Sequence, residues 1–262
     1  MQNLSNTNSI GFFDSGVGGL SVLARFREVL PNENVIYYGD TIHLPYGNKS
    51  KEELISFAKN ILNFFETKNI KAVVIACNTS SAQAYDTVKD IYPFPIYPII
   101  QSCAKVMKDY NRVGVFATEA TVKSGKYSQE LKKYNPNIVV KEMASKNWVG
   151  IVENNIQNIN EAKANIKNEI EEMLSFKPEK VILGCTHYPY LMDEFKKYSS
   201  QELFIDPAKV FVNFIKNDLE NRKLLNLNNQ LGKEDFYVSS NPSEFVKNAK
   251  IFYDVKTLPT LI

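Results

Sequence analysis

Short apolar runs alternate with longer amphipathic stretches along this chain. The apolar runs over 10–13, 35–38, 72–76, 96–100, 112–116, 138–141, 180–183, 203–205 and 236–238 predict strands. Apolar positions at helical spacing predict helices over 50–67, 80–91, 101–110, 119–134, 161–176, 191–198 and 208–220. The strand runs are continuously apolar and do not alternate, which is the pattern of a parallel sheet covered on both faces. The β–α rhythm therefore predicts a doubly wound α/β fold. Two helix starts carry local signals. Ser50 stands three residues before Glu53 and ahead of apolar Leu54, Phe57, Ala58, Ile61, Leu62 and Phe65, a capping-box pattern. Asp206-Pro207 reads as a cap followed by a first-turn proline.

The pattern also repeats. Val73-Val74-Ile75-Ala76-Cys77-Asn78-Thr79 resembles Val181-Ile182-Leu183-Gly184-Cys185-Thr186-His187, and the two cysteines are 108 positions apart. Ile10-Gly11-Phe12-Phe13-Asp14-Ser15-Gly16 resembles Val113-Gly114-Val115-Phe116-Ala117-Thr118-Glu119, with the glycines 103 apart. Two matches in the same order at nearly one offset point to duplication of one α/β unit. The competing explanation is that β–α junctions converge on small and polar residues.

Composition narrows the partners. The 262 residues suit two α/β lobes better than one core. Hydrophobic residues at 44% and charged residues at 23% fit a folded globular chain. A net charge of +2 gives no case for nucleic acid or a membrane surface. Lys132-Lys133 and Lys196-Lys197 read as solvated helix faces, because a phosphate-binding surface needs a concentrated basic patch. No apolar run reaches the roughly 20 residues of a membrane helix. The polar stretch over 1–9 reads as a loose tail without signal-peptide features, so a cytoplasmic location is expected. With three cysteines, two histidines and no CxxC, neither a structural metal site nor a disulfide framework is expected.

In open parallel sheets, ligands bind beyond the carboxyl ends of the strands. Asp14-Ser15, Asp40, Cys77-Asn78-Thr79, Thr118 and Cys185-Thr186-His187 fall at such ends and are candidates to share one crevice. Cys77 and Cys185 are expected at the last strand position, where the next helix would turn its positive end toward the sulfur and lower the thiol pKa. Cys103 lies inside a predicted amphipathic helix and reads as core packing. Two equivalent thiols suit inversion of a stereocentre, which needs a proton removed from one face and another returned to the opposite face. General acid–base transfer of this kind contributes about 10² to 10⁴ in rate. Carbanion stabilisation would fall to backbone N–H groups and the hydroxyls of Ser15, Thr79, Thr118 and Thr186. Without a CxxC, a thiol redox pair is disfavoured. A non-catalytic binding protein stays open.

Other features are ambiguous alone. Gly16-Val17-Gly18-Gly19 lacks both nucleotide-binding glycine spacings and reads as an anion-binding turn for a substrate carboxylate. Pro45-Tyr46-Gly47 is an ordinary turn by composition. His187 can be structural, or it can hold or shuttle a proton beside Cys185. Asp14 can cap a helix, orient an ammonium group or tune Cys77. Trp148 reads as packing.

The motif series resembles that of the glutamate racemases of the aspartate/glutamate racemase superfamily. The resemblance rests on Phe13-Asp14-Ser15-Gly16-Val17-Gly18-Gly19-Leu20, Tyr38-Gly39-Asp40-Thr41, Leu44-Pro45-Tyr46-Gly47, Ile75-Ala76-Cys77-Asn78-Thr79-Ser80-Ser81, Ala117-Thr118-Glu119-Ala120-Thr121 and Leu183-Gly184-Cys185-Thr186-His187-Tyr188-Pro189. It implies cofactor-independent interconversion of L- and D-glutamate, feeding peptidoglycan synthesis. Cys77 would deprotonate D-glutamate and Cys185 L-glutamate, with Asp14 and His187 beside them. Asp14, Ser15, Pro45, Tyr46, Gly47, Asn78, Thr79, Thr118, Thr121, Thr186 and His187 would hold the substrate, and Glu153 and Asp40 would support the thiols. The implied fold is two pseudo-symmetric, flavodoxin-like lobes with parallel sheets and the site in the cleft between them. The expected division is 1–98 plus 208–262 for the Cys77 lobe and 99–207 for the Cys185 lobe. Glutamate and a second copy of the chain are the expected partners. The stretch Tyr97-Pro98-Ile99-Ile100-Gln101-Ser102, at the expected crossover between lobes, departs from the family pattern.

Overall fold

The computed structural model describes residues 4–145, 147–153 and 159–262. Residues 1–3 of the expected tail lie outside this range. The chain opens with β1 (Ile10–Asp14), α1 (Leu20–Val29), β2 (Val35–Gly39), α2 (Lys51–Thr67), β3 (Ala72–Ile75), α3 (Asn78–Gln83), α4 (Tyr85–Val88) and β4 (Ile96–Pro98). It crosses through α5 (Ile99–Val106) to β5 (Arg112–Ala117), α6 (Glu119–Ser124), α7 (Lys126–Tyr134), β6 (Val139–Ala144), α8 (Trp148–Val152), α9 (Ile159–Ser175), β7 (Lys180–Gly184), α10 (Met192–Phe195) and β8 (Phe204–Ile205). Then α11 (Pro207–Asn221) leads back to β9 (Glu234–Val238), α12 (Pro242–Ala249) and β10 (Thr260–Leu261).

The strands form two parallel sheets, ordered β10-β9-β2-β1-β3-β4 and β6-β5-β7-β8. In each, the first strand is flanked by the second on one side and the third on the other, the doubly wound arrangement. β9 and β10 rejoin the first sheet after the chain has run through the second.

The register carries the duplication further than the sequence did. Gly11 pairs with Val73, and Gly114 pairs with Val181. Four residues beyond each partner stands Cys77 or Cys185. Both glycines face a close crossover helix: a Cβ at Gly11 would sit 2.9 Å from Phe65 of α2, and one at Gly114 2.4 Å from Met173 of α9. Each motif glycine therefore lets a helix side chain lie against the central strand.

Burial explains the apolar runs. Ile10 and Phe12 face a core that runs through both lobes, while Phe13 faces a smaller core against α2. Helix α11 packs on α1 and α5, closing the larger core between the sheets. Ser50 and Glu53 form the expected capping box, and Asp206 caps α11 through the Ala208 N–H. Cys103 is buried in the larger core, as expected, and Trp148 packs among Phe116, Tyr188 and Phe195.

Several boundaries differ from expectation. The helix expected over 119–134 is two, because Gly125 takes a left-handed conformation with φ 60° and ends α6. The helix expected over 80–91 begins at Asn78 and breaks at Ala84. That expected over 101–110 runs Ile99–Val106. The stretch 191–198 is a 3-10 turn, Tyr188–Leu191, followed by the short α10. The strand expected over 138–141 is β6, three residues longer at its end. Helix α12 and strand β10 were not foreseen. Among the described residues, no helix is long and apolar enough to cross a membrane.

Candidate active site

Both sheets present their strand ends to one cleft of about 710 Å³. The first lobe supplies Asp14, Ser15, Pro45, Tyr46, Gly47, Cys77, Asn78 and Thr79. The second supplies Thr118, Glu153, Cys185, Thr186 and His187. Thr121 alone among the predicted binding residues stands behind the wall, fully buried. It still belongs to the site, since the hydroxyls of Thr79, Thr118 and Thr121 join across the lobes at 2.9 Å (79 to 118), 2.9 Å (118 to 121) and 3.4 Å (79 to 121).

The two thiols face the cleft from unlike surroundings. Cys77 lies two residues past β3 and acts as the N-cap of α3, its sulfur 3.5 Å from the donating Ser80 N–H. The helix start was expected to lower this thiol's pKa, but burial outweighs it. Burial, reinforced by the charge of Asp14, pushes Cys77 up to about 12 despite the Ser80 hydrogen bonds. Burial thus favours the protonated thiol at Cys77. Cys185 follows β7 directly and leads into a turn. Its sulfur is 3.8 Å from His187 Nδ1, and His187 Nε2 is 2.8 Å from Glu153 Oε1. Burial disfavours a charged His187, yet the hydrogen bonds and charges of Cys185 and Glu153 prevail and raise its pKa to about 10. The structural alternative for His187 thus gives way to a sulfur–imidazole–carboxylate chain.

Asp14 neither caps a helix nor meets the solvent. Its Oδ2 accepts the Gly16 N–H at 3.0 Å, and burial raises its pKa. Asp40, expected to support the thiols, does not line the cleft. It sits behind Tyr46, accepting that hydroxyl, the Ser239 hydroxyl at 2.9 Å, and contacting His43 Nδ1 at 2.8 Å. Its influence on the cleft passes through Tyr46.

The turn from Gly16 to Gly19 meets both lobes. A Cβ on Gly18 would lie 2.3 Å from Thr186 Oγ1 and 2.4 Å from His187 Cε1. The Ser21 hydroxyl, just beyond, donates to the Thr186 carbonyl at 3.0 Å. The N–H groups of Leu20 and Ser21 are taken by the carbonyls of Val17 and Gly18. Gly18 is therefore a close-packed seam between the lobes, while Gly16 and Val17 of the same turn line the cleft. Behind His187, the ring of Phe252 meets the imidazole edge-on at 5.2 Å.

Ser145, absent from the sequence expectations, also lines the cleft, and its buried hydroxyl has no partner among the described residues. The signal was present in the repeat. The Asp40 N–H bonds the Asp14 carbonyl, and the Ser145 N–H bonds the Ala117 carbonyl, so Ser145 is the second-lobe counterpart of Asp40. Among the described residues lining the cleft there is no lysine or arginine. None of the described residues form a group of three or more His, Cys, Asp or Glu placed to hold a metal ion.

Two parallel α/β lobes that turn register-equivalent thiols into a shared cleft define an enzyme of paired acid–base chemistry. The chain belongs to the Asp/Glu/Hydantoin racemase family, whose sequence pattern matches residues 19–215. It is 40% identical over 244 residues to the glutamate racemase of Carboxydothermus hydrogenoformans, covering 93% of this chain and 91% of that one. The fold matches the glutamate racemase of Francisella tularensis, solved in complex with D-glutamate, with a TM-score of 0.90 and 32% identity over 98% of this chain and 97% of that one. A glutamate racemase isoform from Bacillus anthracis matches with a TM-score of 0.90 at 27% identity, over 98% and 97% of the two chains.

Proposed function

We infer that this protein is a glutamate racemase in which one thiol removes the Cα proton and the other returns a proton to the opposite face, without a cofactor. The observation that carries the reading is the placement of Cys77 and Cys185 at equivalent register positions of two lobes, both lining one cleft. The glutamate racemases among its relatives point to the substrate.

The unlike settings of the thiols assign a resting direction. Cys185, with His187 and Glu153 to hold charge and proton, removes the Cα proton of L-glutamate. Cys77, whose burial favours the protonated thiol, donates to the opposite face and yields D-glutamate. The reverse reaction starts from the opposite protonation state. Neutral donors hold the substrate: Ser15, the Pro45-Tyr46-Gly47 turn, Asn78, Thr79, Thr118, Thr121 and Thr186. Hydrogen bonds to a charged acceptor are the strong kind, so carboxylates can be held without a lysine or arginine. Asp14 faces the α-ammonium group.

The lobes divide at 1–98 plus 208–262 and 99–207, a division supported by the return of β9 and β10 to the first sheet. The enzyme acts as a homodimer in the cytoplasm and supplies D-glutamate for peptidoglycan synthesis. Circular dichroism or chiral chromatography of the purified protein with L-glutamate and no added cofactor tests the activity. D-glutamate is expected, and a folded sample that makes none overturns the reading. Faster turnover of aspartate, measured side by side, overturns the substrate.

Two further results are expected. Gly18→Ala pushes a methyl group into Thr186 and His187. Misplacement of about 1 Å costs on the order of 10²-fold, so kcat/KM falls by about that factor. A variant within twofold of wild type would show that the seam yields freely. The second concerns pH. The His187 pKa of about 10 lies above the ordinary imidazole value of about 6.5. Its charged form therefore adds stability that is complete below about pH 6.5 and is lost as pH rises to about 10. Glu153→Gln removes one cause of the shift. The stability advantage of wild type over this variant, from urea melts, is expected to narrow between pH 6.5 and 10. An advantage that widens across that window contradicts the assignment.

A further inference from the structure

Asn78 opens α3 on the cleft wall and is 3% exposed. Its Oδ1 accepts a 2.7 Å hydrogen bond from the Tyr127 hydroxyl. Its Nδ2 is buried without a partner among the described residues. Buried amide donors almost always find an acceptor. On a cleft wall, that acceptor is the ligand's to bring.

Tyr127 belongs to α7 in the second lobe, whereas Asn78 belongs to the first. The tyrosine is fully buried, and its phenol pKa is held well above the ordinary value by burial, so the hydroxyl remains a donor. Asn78 Oδ1 is the acceptor the structure gives it. Turning the amide over would strand the phenol proton and aim a carbonyl oxygen into the cleft, toward substrate carboxylates. The neighbouring Lys126 adds a second tie between the same lobes, pairing with Asp86 of α4 at 2.5 Å, and is held by Glu130 of its own helix at 2.8 Å.

We propose that Tyr127 is a positioning residue: from the opposite lobe it fixes the Asn78 amide so that its N–H₂ donates to a carboxylate of the bound amino acid. The donor set on this wall is thus complete only while the two lobes are docked. The proposal rests on the glutamate reading above.

Tyr127→Phe removes one oxygen and keeps the ring. KM for L- and D-glutamate is expected to rise about tenfold each, the size of one lost hydrogen bond to a charged group, while kcat changes less than threefold. Asn78→Ala should raise KM at least as much, and Tyr127→Phe added to it should change KM by less than twofold further. A KM within twofold of wild type in Tyr127→Phe overturns the proposal, as does a lower melting temperature with unchanged KM. Effects that multiply in the double variant also overturn it. Should Tyr127→Phe fail to fold, Asn78→Asp decides. Its carboxylate still accepts from Tyr127 but has no N–H to offer, so KM should rise at least tenfold, and a wild-type KM refutes the role. The wild-type assay run alongside separates the two readings. No D-glutamate from wild type sinks the function, whereas an active wild type beside an unmoved Tyr127→Phe sinks only this proposal.

Discussion

Replacing either Cys77 or Cys185 with serine is expected to lower kcat/KM for racemisation by about 10² to 10⁴, the usual worth of a positioned acid or base. The loss must be equal in the two directions. L- and D-glutamate have the same free energy in water, so the equilibrium constant is one and the two kcat/KM values are bound together in every variant. Division of labour therefore cannot appear in that ratio. It appears in solvent exchange at Cα. In D₂O, Cys77→Ser keeps Cys185 and should wash deuterium into L-glutamate without inversion. Cys185→Ser keeps Cys77 and should do the same to D-glutamate. Mass spectrometry of each recovered enantiomer reads the outcome. Exchange of both enantiomers by one single variant would mean that one thiol serves both faces, and the two-thiol mechanism would fall.

Lys71→Met is expected to destabilise the fold by about 3–5 kcal/mol, the cost of stranding one member of a buried ion pair. Lys71, at the entrance to β3, is completely buried, and its Nζ lies 2.5 Å from Glu33 Oε2. It also donates to the carbonyls of Asn6 and Leu224, while Glu33 accepts the Asn226 N–H at 2.8 Å. The pair thus anchors the chain where it returns from α11 toward β9, and the return strands of the first sheet depend on it. Removing lysine leaves Glu33 charged, buried and without its cation. Removing both charges with Lys71→Met/Glu33→Leu should recover part of the loss, because a buried pair replaced by apolar groups is often close to neutral. Urea denaturation of the three proteins measures this. A single variant within 1 kcal/mol of wild type, or a double variant worse than the single, would show that the pair is not what holds this junction.

The two cases differ in how far they could be read from the chain. Both cleft thiols were legible because their signal is local. An apolar run, a small residue, a cysteine and a polar residue mark a strand end, and the repeat marked it twice. The capping box at Ser50 and Glu53 was legible for the same reason, since its donors and acceptors lie within one turn. Lys71 was silent, because a lysine before a strand looks solvated until Glu33 and the carbonyls of residues 6 and 224 close over it. The helix over 119–134 was misread as continuous because its apolar pattern passes through Gly125, and only the backbone conformation there reveals the break.

By itself the sequence determined the alternation of strands and helices, the duplication, and which two of three cysteines end equivalent strands. These follow from continuous apolar runs, from apolar positions at a period of 3.6, and from residues adjacent in the chain. The tertiary structure decided what depends on groups far apart in the chain. It buried Cys77 so that its thiol keeps a proton, and it joined His187 to Glu153 behind Cys185. It placed Asp40 behind Tyr46 and packed Gly18 against Thr186 and His187 of the other lobe. Burial and electrostatics are sums over all neighbours, and the neighbours of each group are set only when both lobes have folded and docked.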